Sequence, residues 1–229
     1  FSITTVLARR QSLTAFGSYV IAHTSAPTYV LPAVTEEVRN KTTYFKSSAS
    51  ATAIASGSTT TLNNYDSGVL KVMPNGVITS EGNLVNSNLA SVQVDGLLNV
   101  KGHWTNDAVA STALAGATVG SITFNGTANQ NIGGSGATIF EGVTINNAAG
   151  VTLTSHQTIA NSLAFTDGII TTAAFRLDLT NTASDGTSGY GTGKYVVSNF
   201  RRYVTTGVEY ALPIGTAANF ELASIFVVS

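Results

Sequence analysis

Six acidic side chains are the first candidates for chemistry in this sequence. Glycoside hydrolysis needs two carboxyl groups about 5 to 9.5 Å apart, one to protonate the leaving group and one to act as base or nucleophile. Here the carboxylates are sparse and scattered, at Glu81, Asp95, Asp107, Glu141, Asp167 and Asp178. Asp95 and Asp167 each precede a glycine, which is typical of turns. The pattern disfavours a catalytic pair, and we predict that the chain is not an enzyme.

Histidine and cysteine are the next candidates, as metal ligands. His23, His103 and His156 are isolated from one another, and the chain contains no cysteine. A thiolate zinc site, a disulfide framework and a cysteine nucleophile are therefore excluded. The segment 133–136 is rich in glycine but lacks the aspartate of calcium-binding repeats. The sequence predicts no metal and no other cofactor in the repeats, and leaves calcium in loops open.

Three aromatic residues are candidate ligand contacts: Trp104, Tyr190 and Tyr195. Glycan binding uses exposed aromatic rings, and Tyr190 lies in a glycine-rich segment that predicts a surface loop. Trp104 has an alternative reading, since a ring of its size is also expected in a core, packed against a neighbouring repeat.

The overall charge limits the choice of partners. The formal net charge is −1, and only 10% of residues are charged. Such a chain has no field that would attract a polyanion, so nucleic acid is not an expected partner. No apolar run reaches the roughly 18 residues that span a bilayer, so no membrane span is expected.

An internal repeat must position these side chains. An offset of 20 residues aligns Gly76 with a second glycine, and Gly82 with a third. The same offset aligns Leu84 with Trp104 and Asn86 with Asn106. Short runs rich in Val, Ile, Leu and Thr, broken by Gly and Asn, separate the repeated positions. A period near 20 in such a sequence is typical of a stacked solenoid, whose coils bury their apolar faces against each other.

A second set of phrases continues the pattern. Phe124, Ile145 and Phe165 end similar alternating runs, spaced 21 and 20 residues apart. Equivalent positions of stacked coils form columns about 4.8 Å apart. Asn86 and Asn106 would then be neighbours, as would Asn125 and Asn146. Their amides could form a ladder along the axis, or each asparagine could serve a turn.

The two ends of the chain differ from the repeat. Residues 1–64 are read as an N-terminal cap or linker, with a short helical turn at 35–39 and either a linker or an edge strand at 46–64. Residues 65–199 are read as the solenoid, with a flexible loop at 184–193. Longer, more aromatic runs beyond it predict the start of a C-terminal β-module over 200–229, interrupted at Ser229. We expect the chain to be a segment of a longer protein.

The run from residue 68 to 215 resembles a family of long repetitive surface proteins exported by type IX secretion in gliding and biofilm-forming bacteria. The resemblance lies in repeated phrases, which are residues 82–86, 98–106, 122–127, 130–134, 143–147 and 150–154. Residues 201–204 with 210–215 resemble the point where such proteins pass into a β-sandwich-like module. The resemblance implies an all-β, right-handed parallel β-solenoid at the cell surface or outside the cell, in an adhesin or filament.

Two functions therefore stay open. The first is a structural and adhesive segment without catalysis, whose partners are surface glycans or neighbouring copies of the chain in a homo-oligomer or filament. The second is a carbohydrate-binding or carbohydrate-active β-helix, which would need two close carboxylates or exposed aromatic rings on one lateral face.

Overall fold

The structure is a computed structural model that describes residues 19–23, 29–30, 36–39, 42–47, 54–55, 62–65, 69–72, 74, 77–109, 112–113 and 120–228. Over these residues the chain is all-β and forms a parallel β-solenoid of about 6 turns. The predicted all-β solenoid is thus confirmed.

The strands, numbered in chain order, form three large sheets, and those from β13 onward belong only to the second and third. The first sheet contains β1 (Tyr19–His23), β4 (Thr42–Ser47), β7 (Val69–Val72) and β10 (Ser91–Val94). The second contains β8 (Val77–Ser80), β11 (Leu97–Val100), β13 (Thr112–Ala113), β14 (Ser121–Phe124), β16 (Thr138–Asn146), β18 (Gln157–Asp167), β20 (Leu177–Leu179), β21 (Thr187–Ser188) and β23 (Phe200–Arg202). The third contains β3 (Glu36–Arg39), β6 (Leu62–Tyr65), β9 (Leu84–Asn88), β12 (Trp104–Ala108), β15 (Gln130–Gly133), β17 (Val151–Leu153), β19 (Ile170–Thr171), β22 (Val196–Val197), β24 (Glu209–Gly215) and β25 (Phe220–Phe226). The short strands β2 (Tyr29–Val30) and β5 (Ile54–Ala55) pair with each other, and Ser184–Gly186 forms a 3-10 helix.

The pairing register confirms the repeat. Trp104 lies opposite Leu84, and Asn106 lies opposite Asn86, in the parallel pair β9 and β12. In the second sheet Ile145 lies between Phe124 and Phe165. Coil length nevertheless varies, since Trp104 pairs onward with Ile132, 28 residues away. Strand register is therefore kept although the number of residues per coil changes.

The core is the inside of the coil. Strands such as β8, β10, β11 and β14 alternate between buried and half-buried residues, as expected when one face points inward. Three large rings meet there, with Phe140 edge-on to Trp104 at 5.6 Å and to Phe124 at 6.1 Å between ring centroids. Burying an aliphatic or aromatic side chain of this size contributes about 1.5 to 3 kcal/mol.

Two glycines show why the repeat keeps this residue at its corners. A Cβ at Gly102 would overlap the backbone of Gly82, one coil away. Gly134 has φ of 120°, and a Cβ there would overlap the backbone of Asn106. Glycine therefore lets adjacent coils approach closely at these corners.

The N-terminal region corrects one prediction. Glu36–Arg39 is strand β3, not a helical turn, and it pairs in parallel with β6. β1 and β4 pair in parallel too, and β4 continues the stack into β7. Parallel stacking thus extends back into the described strands of residues 1–64, and an N-terminal cap or linker over this region stays a prediction. The linker or edge strand expected at 46–64 falls mostly outside the described residues, apart from the strands at either end and β5.

Parallel pairing continues past residue 199. β23 pairs in parallel with β20, and β24 pairs in parallel with β22. Among the described strand pairs, only β24 and β25 are antiparallel. The start of a C-terminal β-module over 200–229 stays a prediction. The loop predicted at 184–193 is also partly structured, because β21 pairs with β18 and Gly186 and Thr187 are buried. The coil therefore ends in a hairpin that belongs to the third sheet.

Candidate functional site

Trp104 lies inside the coil rather than on its surface. Its side chain is 1% exposed, and in its column it stands between Leu84 and Ile132. The position is an inward one on β12, where alternation buries every second residue. Trp104 therefore contributes to the core, as the reading of this residue as a packed core ring predicts, and its ring is not accessible to a ligand.

Tyr195 is buried as well. It is 4% exposed, its hydroxyl donates to the carbonyl of Thr216 at 2.9 Å, and its ring lies 5.6 Å from that of Phe220. These contacts hold the C-terminal hairpin against the coil, so Tyr195 lies in the packed interior and not on an open surface. Tyr190 is half-buried and packs against the core, which leaves a portion of its ring accessible. A ligand contact at Tyr190 stays a prediction.

A polar ladder runs through the buried interior along the coil axis. The Asn64 amide donates to Oδ1 of Asn86 at 2.7 Å, and the Asn86 amide donates to Oδ1 of Asn106 at 3.0 Å. The Asn106 amide continues to Oγ1 of Thr138 at 2.9 Å. All four residues are buried, so the ladder joins four successive coils away from water.

The second predicted pair does not extend this ladder. Asn146 is exposed, and within the described structure no hydrogen bond joins its side chain to that of Asn125. Asn147 is the buried residue instead, and it donates to Oε1 of Gln130 at 2.9 Å. A one-residue shift along an alternating strand places the wrong asparagine inside.

Two of the histidines join coils at the corners. Nδ1 of His103 accepts from the backbone N–H of Asn131 at 2.9 Å, and Nδ1 of His156 accepts from the backbone N–H of Arg176 at 3.0 Å. The Asn83 side chain has the same role in the preceding coil, where it accepts from the N–H of His103 at 2.8 Å. Among the described residues, no group of three or more His, Asp or Glu side chains could hold a metal ion.

Three of the candidate acidic residues lie opposite neutral residues of a neighbouring coil in the described registers. Asp107 lies opposite Ser87, Asp167 opposite Asn146, and Asp178 opposite Thr158. Glu81 lies at a corner and forms a salt bridge with Lys101, 2.7 Å from Nζ. This ion pair borders a shallow groove lined also by Asn83 and Thr127. In the described registers the carboxylates lie beside neutral or basic partners.

The densest charge cluster of the described chain lies on the outside of β20 and β23. We call Arg176, Asp178, Arg201 and Tyr203 the arginine cluster. Nε and Nη2 of Arg176 donate to the two carboxylate oxygens of Asp178, at 2.6 and 3.1 Å. Arg201, one coil further on, donates to the same oxygens at 2.9 and 2.7 Å. One carboxylate thus holds two guanidinium groups by paired, charge-assisted bonds.

The balance of charges in the cluster favours ionised Asp178. Burial by itself raises the pKa of this carboxyl, but the hydrogen bonds and charges of Arg176 and Arg201 outweigh burial and hold the pKa below its ordinary value. The side chain of Asp178 is 9% exposed, whereas those of Arg176 and Arg201 are 42% and 47% exposed. The carboxylate is therefore covered by its two partners, and the surface of the cluster is cationic.

Sequence reasoning noted Asp178 but missed the cluster. Two signals were present: a carboxylate between Leu177 and Leu179 on a strand, and adjacent arginines at 201 and 202 in a chain with few charges. The 23-residue offset between Asp178 and Arg201 hid their contact, since the repeat suggested about 20. Arg202 points the other way and is buried, and it donates to the carbonyls of Ala183, Ser184 and Ala211.

The described residues include no helix of the length and apolarity needed to cross a bilayer. Comparisons with known proteins give no relative: no protein-family model, no curated protein and no solved structure matches this chain.

Proposed function

We propose that this chain is a structural and adhesive segment of an extracellular bacterial surface protein or filament, and that it works through its shape. The observation that carries the proposal is the continuous stack of parallel coils, joined through the interior by the ladder from Asn64 to Thr138. A stack held by backbone bonds along its axis resists bending and can keep a distal region of a protein away from the cell. The resemblance of the repeated phrases to type IX-secreted surface proteins supports the same setting.

The proposal assigns no catalytic residue. It is supported by the pairing of the acidic side chains with neutral or basic neighbours, since two close carboxyl groups would be required for glycoside hydrolysis. On this proposal the chain releases no reducing ends from polysaccharides. A carbohydrate-active β-helix would release them, so a reducing-sugar assay on a polysaccharide panel separates the two functions.

Display of the chain on the surface of a bacterial cell tests the adhesive role. The chain is fused to an outer-membrane anchor in a non-adherent bacterium, and cell retention under flow is measured on glass and on glycan-coated surfaces. We expect greater retention than for cells that display a globular domain of equal mass. Equal retention of the two displays would contradict the proposed adhesive function.

A further inference from the structure

The arginine cluster has more hydrogen-bond donors than the protein uses. Each guanidinium carries five N–H groups. Asp178 accepts two from Arg176 and two from Arg201, and Arg201 gives one more to the hydroxyl of Tyr203 at 3.2 Å. Three N–H groups of Arg176 and two of Arg201 therefore have no acceptor among the described residues.

The cluster also carries unbalanced charge. Two guanidinium groups face one carboxylate, and no second carboxylate of the described chain forms an ion pair with either arginine. A second surface ion pair among the described residues, Lys101 with Glu81, is balanced one to one. A further anion would therefore complete the arginine cluster, whereas it would have to break the pair at Lys101.

The two arginines are held in place before any ligand arrives. Paired bonds to a largely buried carboxylate fix both side chains, so little rotamer entropy remains to be lost on binding. Guanidinium groups match carboxylate and sulfate oxygens in paired geometry. The site is thus prepared for an oxyanion.

The surroundings are suited to a sugar. Thr158 lies opposite Asp178 in the register of β18 and β20, and Thr180 follows Asp178 two residues later in the sequence. Both threonines are partly accessible. Tyr203 is 44% exposed, and the guanidinium carbon of Arg201 lies 5.2 Å from the centre of its ring. Hydroxyl groups and an aromatic edge beside two cations are complementary to an acidic sugar, which presents neutral hydroxyls around each charge.

We propose that Arg176 and Arg201, held by Asp178, form a binding site for the carboxylate or sulfate groups of an acidic polysaccharide. The inference rests on the proposed adhesive function, for which it names the ligand class. A nucleic acid is the poorer fit, because its dense charge needs a long basic stripe, and this chain has a net charge of −1.

The test measures binding of the whole chain to immobilised polygalacturonate, dextran sulfate, neutral dextran and single-stranded DNA at 50 and 300 mM salt. Arg176→Gln and Arg201→Gln each remove one cation, and Lys101→Gln is the matched control at the other ion pair. We expect binding to polygalacturonate or dextran sulfate that falls at least tenfold in each arginine variant and less than twofold in Lys101→Gln. Binding to only one of these two polymers identifies carboxylate or sulfate as the ligand group.

A measurement on the unmodified chain guards against variants that fail to fold. Addition of oligogalacturonate should shift the Nε–H signals of Arg176 and Arg201 in a nitrogen-15 NMR spectrum and leave that of buried Arg202 in place. The proposal is overturned by equal binding to neutral dextran, by equal or tighter binding to DNA, by no binding to either acidic polymer, or by unaltered binding in both arginine variants. Retention of displaying cells under flow is measured separately. If the cells adhere but the chain does not bind acidic glycans, the proposed binding site is refuted and the proposed adhesive function is not.

Discussion

At the scale of single residues, asparagine contributes most to the inside of the coil. Asn86 is fully buried, and its amide links the coils before and after it. An aliphatic residue at this position would remove one hydrogen bond from each of Asn64 and Asn106. Each buried hydrogen bond that is lost costs about 0.5 to 1.5 kcal/mol, so the ladder is weakened on both sides at once.

Asn86→Ala is therefore expected to lower the free energy of unfolding by about 2 to 4 kcal/mol, because it removes the buried hydrogen bonds to Asn64, to Asn106 and to the carbonyl of Ala90 and opens a small cavity. Urea unfolding followed by circular dichroism measures this change. Asn146→Ala is the matched control at an exposed position, with an expected change within about 0.5 kcal/mol. Equal losses in the two variants would refute the ladder.

His103 is expected to be replaceable by asparagine. Its Nδ1 accepts a backbone N–H from the next coil, as the Asn83 side chain does in the preceding coil. His103→Asn keeps an acceptor at that place, whereas His103→Ala removes it at a cost of about 1 kcal/mol. Thermal unfolding of both variants should rank alanine below asparagine, and the reverse order would contradict the assigned role.

Asp178 predicts the direction of one pH effect. Because its pKa is lowered in the folded chain, the stabilisation that it gives is complete above the unfolded value, near 3.9. It is lost as the pH falls through the folded pKa. The stability gap between the unmodified chain and Asp178→Asn should be constant near neutral pH and shrink in acid. Urea unfolding at pH 7, 5 and 3 measures it, and a gap that widens in acid would contradict the pairing.

At the scale of the structural elements, close contact between corners explains the glycines. Gly102→Ala would force a Cβ into the backbone of Gly82, which cannot move without separating two coils. We expect a loss of about 1 to 3 kcal/mol, as for other overpacked sites. Gly191→Ala is the matched control, since a Cβ there has nothing within 4 Å. Calorimetry of both variants should show a lower Tm for Gly102→Ala alone.

The elements also show how far the sequence could predict the fold. Coils of equal length can be recognised from the sequence, so an offset of 20 predicts the pairing of Leu84 with Trp104. Coils of other lengths cannot be recognised in this way, because register depends on which residues face inward and not on the number of residues between them. The 28-residue step from Trp104 to Ile132 and the 23-residue step from Asp178 to Arg201 are two such coils.

The region beyond residue 199 is hard to predict for a different physical reason. Its longer, more aromatic runs are typical of a new module, yet β23 and β24 still pair in parallel with the coil. Tyr210 is fully buried, and its ring lies 4.8 Å from the guanidinium of Arg202. Burial of Arg202 lowers its pKa. Composition alone does not distinguish large amphipathic residues that pack against a coil from those that begin a new domain.

At the scale of the whole molecule, the coils form one stack in which the second and third sheets continue from coil to coil, whereas the first sheet ends at β10 among the described strands. The candidate site follows from this arrangement, because the arginine cluster exists only where β20 and β23 lie side by side. The sequence could predict the stack but not the cluster, whose members come from two coils of unequal length. Shape and site therefore depend on the same register.

Disulfide trapping tests that register most directly, on a chain that has no cysteine of its own. Val85 and Thr105 are register partners on adjacent coils and are partly accessible. The double variant Val85→Cys, Thr105→Cys should form an intramolecular disulfide almost completely under mild oxidation. The control pair Thr79→Cys, Thr105→Cys lies on different sheets and should not. Efficient closure of the control, or failure of the first pair in a folded chain, would contradict the stacked coils.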